Sequence, residues 1–153
     1  MRTAIDLRLA RHGAILLLLA MLTGFAIGNF LNRNAGNAAH LTGLLGGYGL
    51  IALGLLWPRL NLGRVGSAVA AWITAASLYL NWFGLVCKGL GNNPAAPSSQ
   101  VLGSPLTWDR VGSVTLGLAV LLSLLSVIMV LIGLRKLLQP ADARNPEVLT
   151  TAH

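Results

Sequence analysis

Three histidines, one cysteine and four carboxylates are all that this chain of 153 residues offers for metal ligation or acid–base chemistry. His12 opens the first long apolar run, His40 opens the second, and His153 is the last residue. Asp6, Asp109, Asp142 and Glu147 all fall outside the apolar runs. A serine–histidine–carboxylate arrangement therefore has no buried acid to draw on. Proton-coupled or ion-coupled transport normally needs an ionisable group inside the membrane, and none is present there. Phosphate-binding loops, dinucleotide fingerprints and nucleophile elbows do not occur. The lone Cys87 excludes an intrachain disulfide and any thiolate metal cluster, and reads as a small buried apolar residue.

His40 is the residue with the most chemical promise. On a helix, Gly43, Leu44 and Gly47 share its face at i+3, i+4 and i+7. The two glycines would leave open space beside the imidazole. A flat macrocycle needs such space, and neutral imidazole is the usual proximal ligand of haem iron. The same spacing also suits a histidine at a helix start beside a packing groove. His12 and His40 at opposite ends of spanning helices would be ~30 Å apart, too far to share a metal. In the third run, Trp72, Ala76 and Tyr79 follow at i, i+4 and i+7, with Trp82 nearby. This is either an aromatic wall for a flat substrate or a packing stripe whose tyrosine hydroxyl bonds a neighbour. Ser77 and Asn81 are polar groups suited to a site or to helix–helix hydrogen bonds.

The elements that must position these residues are four apolar runs at 13–31, 38–57, 65–87 and 111–134, with a longer turn-rich loop at 88–110. Each run is long enough to cross a bilayer as a helix, which takes about 20 residues. Helices satisfy their own backbone groups where lipid cannot. The composition agrees: 55% of the residues are hydrophobic and 10% charged, where a soluble domain carries about 25% charged residues. The expected fold is all-α, a single integral-membrane four-helix bundle over residues 1–153. The formal charge of +7 is concentrated at the edges of the runs, which points to membrane topology and lipid headgroups, with no nucleic acid as partner. Arg2, Arg8, Arg11, Arg59, Arg64, Arg135, Lys136 and Arg144 share one side, against Arg33, Lys88 and Arg110 on the other. That asymmetry places both termini in the cytoplasm, with the bundle in the cytoplasmic (inner) membrane. Arg8 and Arg11 before the first run, with Ala26 and Gly28 as a cleavage-site pattern, also fit a signal peptide, but retention is expected. Trp57 and Trp108 sit where interfacial tryptophans do. Gly24-x-x-x-Gly28 and Gly43-x-x-x-Gly47 are pairs of small residues that let helices approach closely.

Several stretches resemble the hydroxylaminobenzene mutase family. Arg11-His12-Gly13-Ala14-Ile15-Leu16 and Leu22-Thr23-Gly24-Phe25 resemble its first span. Ala39 to Gly47, reading AHLTGLLGG, resembles the second, and Leu53 to Leu60, reading LGLLWPRL, continues it. Tyr79-Leu80-Asn81-Trp82 resembles the third, while the long loop and fourth run match only in type. The layout is also similar to styrene oxide isomerase. The resemblance implies a four-helix membrane protein assembled as a homotrimer, with haem b between protomers. It implies that His40 is the axial ligand of the haem iron, and the helix spacing then puts Gly43 and Gly47 beside the cofactor. It implies that Tyr79 orients a small aromatic substrate at ferric iron and that Gly46 lies at the substrate; Trp72 and Asn81, from the reading of the third run, complete the expected pocket. Both families commonly carry Asn where this chain has Gly46, which leaves the substrate oxygen to Thr42, Tyr48 or Asn81. The implied activity is an intramolecular mutase that converts an aryl hydroxylamine to a 2-aminophenol, with ferric haem as Lewis acid. Two alternatives stand beside it: an isomerase turning aryl epoxides into aldehydes, and a haem-free membrane partner subunit.

Overall fold

A computed structural model describes residues 4–60, 62–91 and 108–135. Four helices follow one another: α1 (Ala4–Ala26), α2 (Arg33–Leu56), α3 (Arg64–Gly91) and α4 (Trp108–Arg135). Short 3-10 turns at Ile27–Asn29 and Trp57–Arg59 close α1 and α2. All four helices are long and apolar enough to cross a membrane.

The helices reach beyond the apolar runs at their ends. α1 begins at Ala4, about two and a half turns of helix before Gly13, and takes Arg8 and Arg11 into its first turns. Asn32 caps α2, its side chain accepting a hydrogen bond from Ala35 N at 3.1 Å. This cap starts α2 well before residue 38 and puts His40 two turns inside the helix rather than at its start. Pro58 cannot continue an α-helix and sits in the turn after α2. Gly63, with φ of 69°, supplies the left-handed step before α3. α3 continues to Gly91 and α4 resumes at Trp108, so the helices take in both ends of the expected loop at 88–110. Lys88 in the last turn of α3 pairs with Asp109 in the first turn of α4 at 2.8 Å. Each charge also sits at the helix end that favours it. The remainder of that loop, together with Arg2, Lys136, Asp142, Arg144, Glu147 and His153, lies outside the described residues.

Packing is organised as two helical hairpins, α1 with α2 and α3 with α4, joined mainly through α2 against α3. Each hairpin has a glycine pair where its backbones come closest. A Cβ on Gly13 would lie 2.6 Å from Gly47 O, and one on Gly47 would lie 2.9 Å from Gly13 O. Gly84 and Gly112 repeat the arrangement between α3 and α4, at 3.2 and 2.8 Å. Apolar side chains cannot drive helices together inside lipid, so such close backbone contact is what holds them. The core between α1, α2 and α3 contains Leu9, Leu16, Leu50, Ala71 and Ala75. Trp57 belongs to it as well. It is only 2% exposed and donates Nε1–H to Ser67 Oγ at 2.7 Å. It is thus a buried strut, unlike the interfacial residue expected, whereas Trp108 is exposed.

Candidate functional site

His40 is held against α1. Its Nδ1 lies 2.7 Å from the carbonyl oxygen of Ala20. A carbonyl can only accept, so Nδ1 carries a proton, and the tautomer this selects is the one with its lone pair on Nε2. The close approach depends on Gly24: a Cβ there would sit 2.8 Å from both Cε1 and Nδ1 of the ring. Among the described residues Nε2 has no hydrogen-bond partner, yet no buried side-chain nitrogen is left unsatisfied. Nε2 therefore keeps accessible surface. The ring borders a lateral groove of about 430 Å³ whose other walls are Met21, Gly24, Phe25, Ile27 and Asn37. Phe25 is 85% exposed, so the groove opens to the outside of the bundle. A histidine with one nitrogen locked on a backbone carbonyl and the other free is the usual form of a metal-ligating imidazole. The donor set fits one axial position of a haem iron and no more. Among the described residues no group of three potential metal ligands comes together.

The space expected beside His40 at Gly43 and Gly47 is filled. A Cβ on Gly43 would lie 2.7 Å from Ala20 Cβ and 2.9 Å from Trp82 Cδ1. Gly47 is covered by Leu17 and Gly13. Both glycines serve the seam with α1, and the open groove lies on the Phe25 side of His40 instead. Trp82, read from sequence as the end of an aromatic stripe, belongs to this layer: its Nε1–H donates to Thr23 Oγ1 at 3.1 Å. Thr23 in turn donates to Leu19 O. The positions that sequence reasoning missed are Ala20, Thr23 and Gly24 on α1. The signal available was Gly24, whose partner lies on another helix and is invisible to spacing within one.

Tyr79 and Trp72 form a separate cluster around His12. The Tyr79 hydroxyl donates to His12 O at 2.9 Å. The His12 ring stands edge-on to Tyr79 and tilted against Trp72, at centroid distances of 6.0 and 5.8 Å. His12 and Ala20 are eight residues apart on α1, so the Tyr79 hydroxyl and the His40 ring meet that helix about 12 Å apart. The two do not converge within one chain. The same count puts His12 far nearer to the His40 layer than a full membrane span, because both histidines lie inside their helices. Asn81 is half-buried and makes no hydrogen bond among the described residues.

Gly46 points elsewhere again, about 120° round α2 from His40. It borders a second lateral groove, of about 370 Å³, between α2, α3 and α4. Thr42, Thr74, Ser77, Ser123 and Ser126 bring hydroxyls to that groove. Thr74 and Ser126 join α3 to α4 through a 2.5 Å hydrogen bond.

Two curated proteins from Ectopseudomonas oleovorans are similar to this chain. Hydroxylaminobenzene mutase HabB is 39% identical over 82 residues, 54% of this chain and 50% of the relative. Hydroxylaminobenzene mutase HabA is 36% identical over 78 residues, 51% of this chain and 58% of the relative. The chain thus spans about half the length of the curated relatives it matches. The family model described as styrene oxide isomerase matches residues 5–135, which takes in all but the first residue of α1 and the whole of α2, α3 and α4. On that match the chain belongs to the styrene oxide isomerase family.

Proposed function

We propose that the protein is a membrane isomerase that holds haem b through His40 Nε2 and rearranges a small aryl hydroxylamine to a 2-aminophenol. The observation that carries this reading is the His40 ring, with Nδ1 fixed on Ala20 O and Nε2 accessible from an apolar groove. In the reaction the N–O bond breaks and a C–O bond forms at the ortho carbon. The ortho carbon loses a proton and the nitrogen gains one, so substrate and product are isomers and no external oxidant or reductant is consumed. Bound ferric haem supplies Lewis acidity toward the substrate oxygen, where the apolar runs have no ionised group of their own.

The chain's residues have defined tasks in this reading. The Ala20 carbonyl fixes the ring plane and raises the basicity of Nε2. Gly24 makes room for that contact. Met21 and Phe25 provide apolar walls on the His40 side of the ligand. Tyr79 orients the substrate, and Trp72, Asn81 and Gly46 shape its surroundings. Because the Tyr79 hydroxyl and His40 are about 12 Å apart along α1, they act on one ligand only if different copies contribute them. The family resemblance adds a homotrimer with haem between protomers to this reading. The excess of arginine at the end where α1 starts supports a cytoplasmic-membrane protein with both termini inside.

The family match favours one second reading, in which the same iron takes an epoxide oxygen and the product is an aldehyde. Absorption spectra of the purified protein, oxidised and reduced, test the shared part. A Soret band absent from His40→Ala is expected. Protein that stays colourless after haem reconstitution refutes the reading and leaves the haem-free partner subunit. Product analysis with an aryl hydroxylamine and an aryl epoxide then separates the two reactions, with 2-aminophenol expected.

A further inference from the structure

We infer that the end of the bundle where α1 starts carries a specific site for one anionic phospholipid, its phosphate between Arg8 and Arg64. The two arginines come from different helices and line the same cavity of about 600 Å³. Trp57 and Pro58 of the turn after α2 form its floor, with Ser67 on α3 at its edge. Neither guanidinium has a carboxylate or other partner among the described residues. Two such cations on one cavity repel each other, and an anion between them removes that cost. Arg64 is also the first residue of α3, the helix end that disfavours a cation and favours an anion. The wall is rigid, because Trp57 is buried and its Nε1–H is tied to Ser67 Oγ.

A second feature selects a lipid over a soluble anion. The cavity adjoins a narrow crevice between α1 and α3, sharing Ile5, Arg8 and Ala68 with it. The crevice continues past His12 to Trp72 and Ala75. Trp72 lies eight residues beyond Arg64, about 12 Å deeper along α3. Trp72 is 59% exposed and offers its ring to a chain lying there. Head and crevice together match a phosphodiester followed by its glycerol ester and the start of an acyl chain. Free phosphate would leave the crevice bare. This inference does not rest on the proposed reaction.

Native mass spectrometry of the full chain, delipidated and offered equal amounts of phosphatidylglycerol and phosphatidylcholine, tests it. One phosphatidylglycerol per chain is expected, preferred on the order of tenfold, since each basic residue near a headgroup favours the anionic lipid several-fold. The Arg8→Gln/Arg64→Gln variant should lose the preference, while Arg33→Gln at the other end keeps it. Equal retention of the two lipids overturns the proposal. So does a preference that survives the double variant, or one lost equally in Arg33→Gln. Millimolar inorganic phosphate should not displace the lipid. Displacement would make this a soluble-anion site and overturn the lipid assignment.

Discussion

Gly24→Ala tests whether the His40 geometry matters, because the structure gives the size of the clash. The new methyl carbon would lie 2.8 Å from Cε1 and Nδ1 of the ring and 3.4 Å from Cγ. Carbon atoms are in favourable contact only from about 3.5 Å, so the ring or α1 must move by at least about 0.7 Å. The 2.7 Å bond from Nδ1 to Ala20 O is what gives way. Losing one such hydrogen bond costs about 1 kcal/mol of stability. Losing the group that orients a metal-bound imidazole costs about 10- to 100-fold in ligand affinity. Haem titration followed in the Soret region, with denaturation in sodium dodecyl sulfate alongside, reads both effects. Gly28→Ala is the control, since a Cβ at Gly28 meets nothing within 4 Å. If Gly24→Ala and Gly28→Ala bind haem equally well, the Ala20–His40 contact is not what prepares the ring, and the reasoning fails.

Gly112→Leu should separate α3 from α4, because a Cβ there already lies 2.8 Å from Gly84 O; the expected loss is about 1–3 kcal/mol in dodecyl sulfate unfolding. Thr74→Val removes the hydrogen bond to Ser126 and should cost about 0.6–1.7 kcal/mol by the same assay. Tyr79→Phe removes the donor to His12 O, which should lower stability by only about 1 kcal/mol while turnover falls by far more than that loss explains. Gly46→Asn should fold, since the nearest atoms to its Cβ would be the methyl ends of Leu16 and Leu78 at 3.2 and 3.4 Å, with Leu78 Cβ in ordinary contact at 3.6 Å, and turnover of hydroxylamine and epoxide substrates should shift relative to each other. Unchanged relative turnover would show that position 46 does not touch substrate.

The four helices were legible because hydropathy over some twenty residues is a strong signal, and one that lipid enforces. Their ends were less so. Arg8, Arg11 and Arg33 are not apolar, yet the helical backbone continues through them, since exposed charged turns are compatible with helix outside hydrocarbon. His40 was legible as a candidate from its type and its place in an apolar run. Its surroundings were not. Spacing within α2 correctly puts Gly43 and Gly47 on one side, but it cannot say that α1 fills that side. The partners of Gly47 and Gly84 are Gly13 and Gly112, on other helices. A small-xxx-small pattern identifies a surface that can be approached closely and is silent on what approaches it. Trp72 and Trp82 show the same limit: one stripe on α3 ends up serving two separate layers, one with His12 and one with Gly43.

That separation bears on how a site is completed. Tyr79 donates to the α1 backbone at His12, and His40 engages the same helix at Ala20, eight residues on. Gly46 borders a groove bounded by α3 and α4, while His40 borders one bounded by α1. A ligand held on His40 Nε2 therefore has Met21 and Phe25 from its own chain beside it, and neither Tyr79 nor the hydroxyls near Gly46. Both grooves open sideways from the bundle, so each lacks an outer wall among the described residues. A chemistry that needs an imidazole, a phenol and a hydrogen-bonding group at one substrate then requires two lateral faces brought together. Closure by a neighbouring copy would also exclude lipid and water from the ligand, which a groove on a single bundle cannot do. In the proposed reading catalysis depends on assembly: a variant that leaves single chains folded but prevents their association should abolish turnover even with His40 and Tyr79 intact.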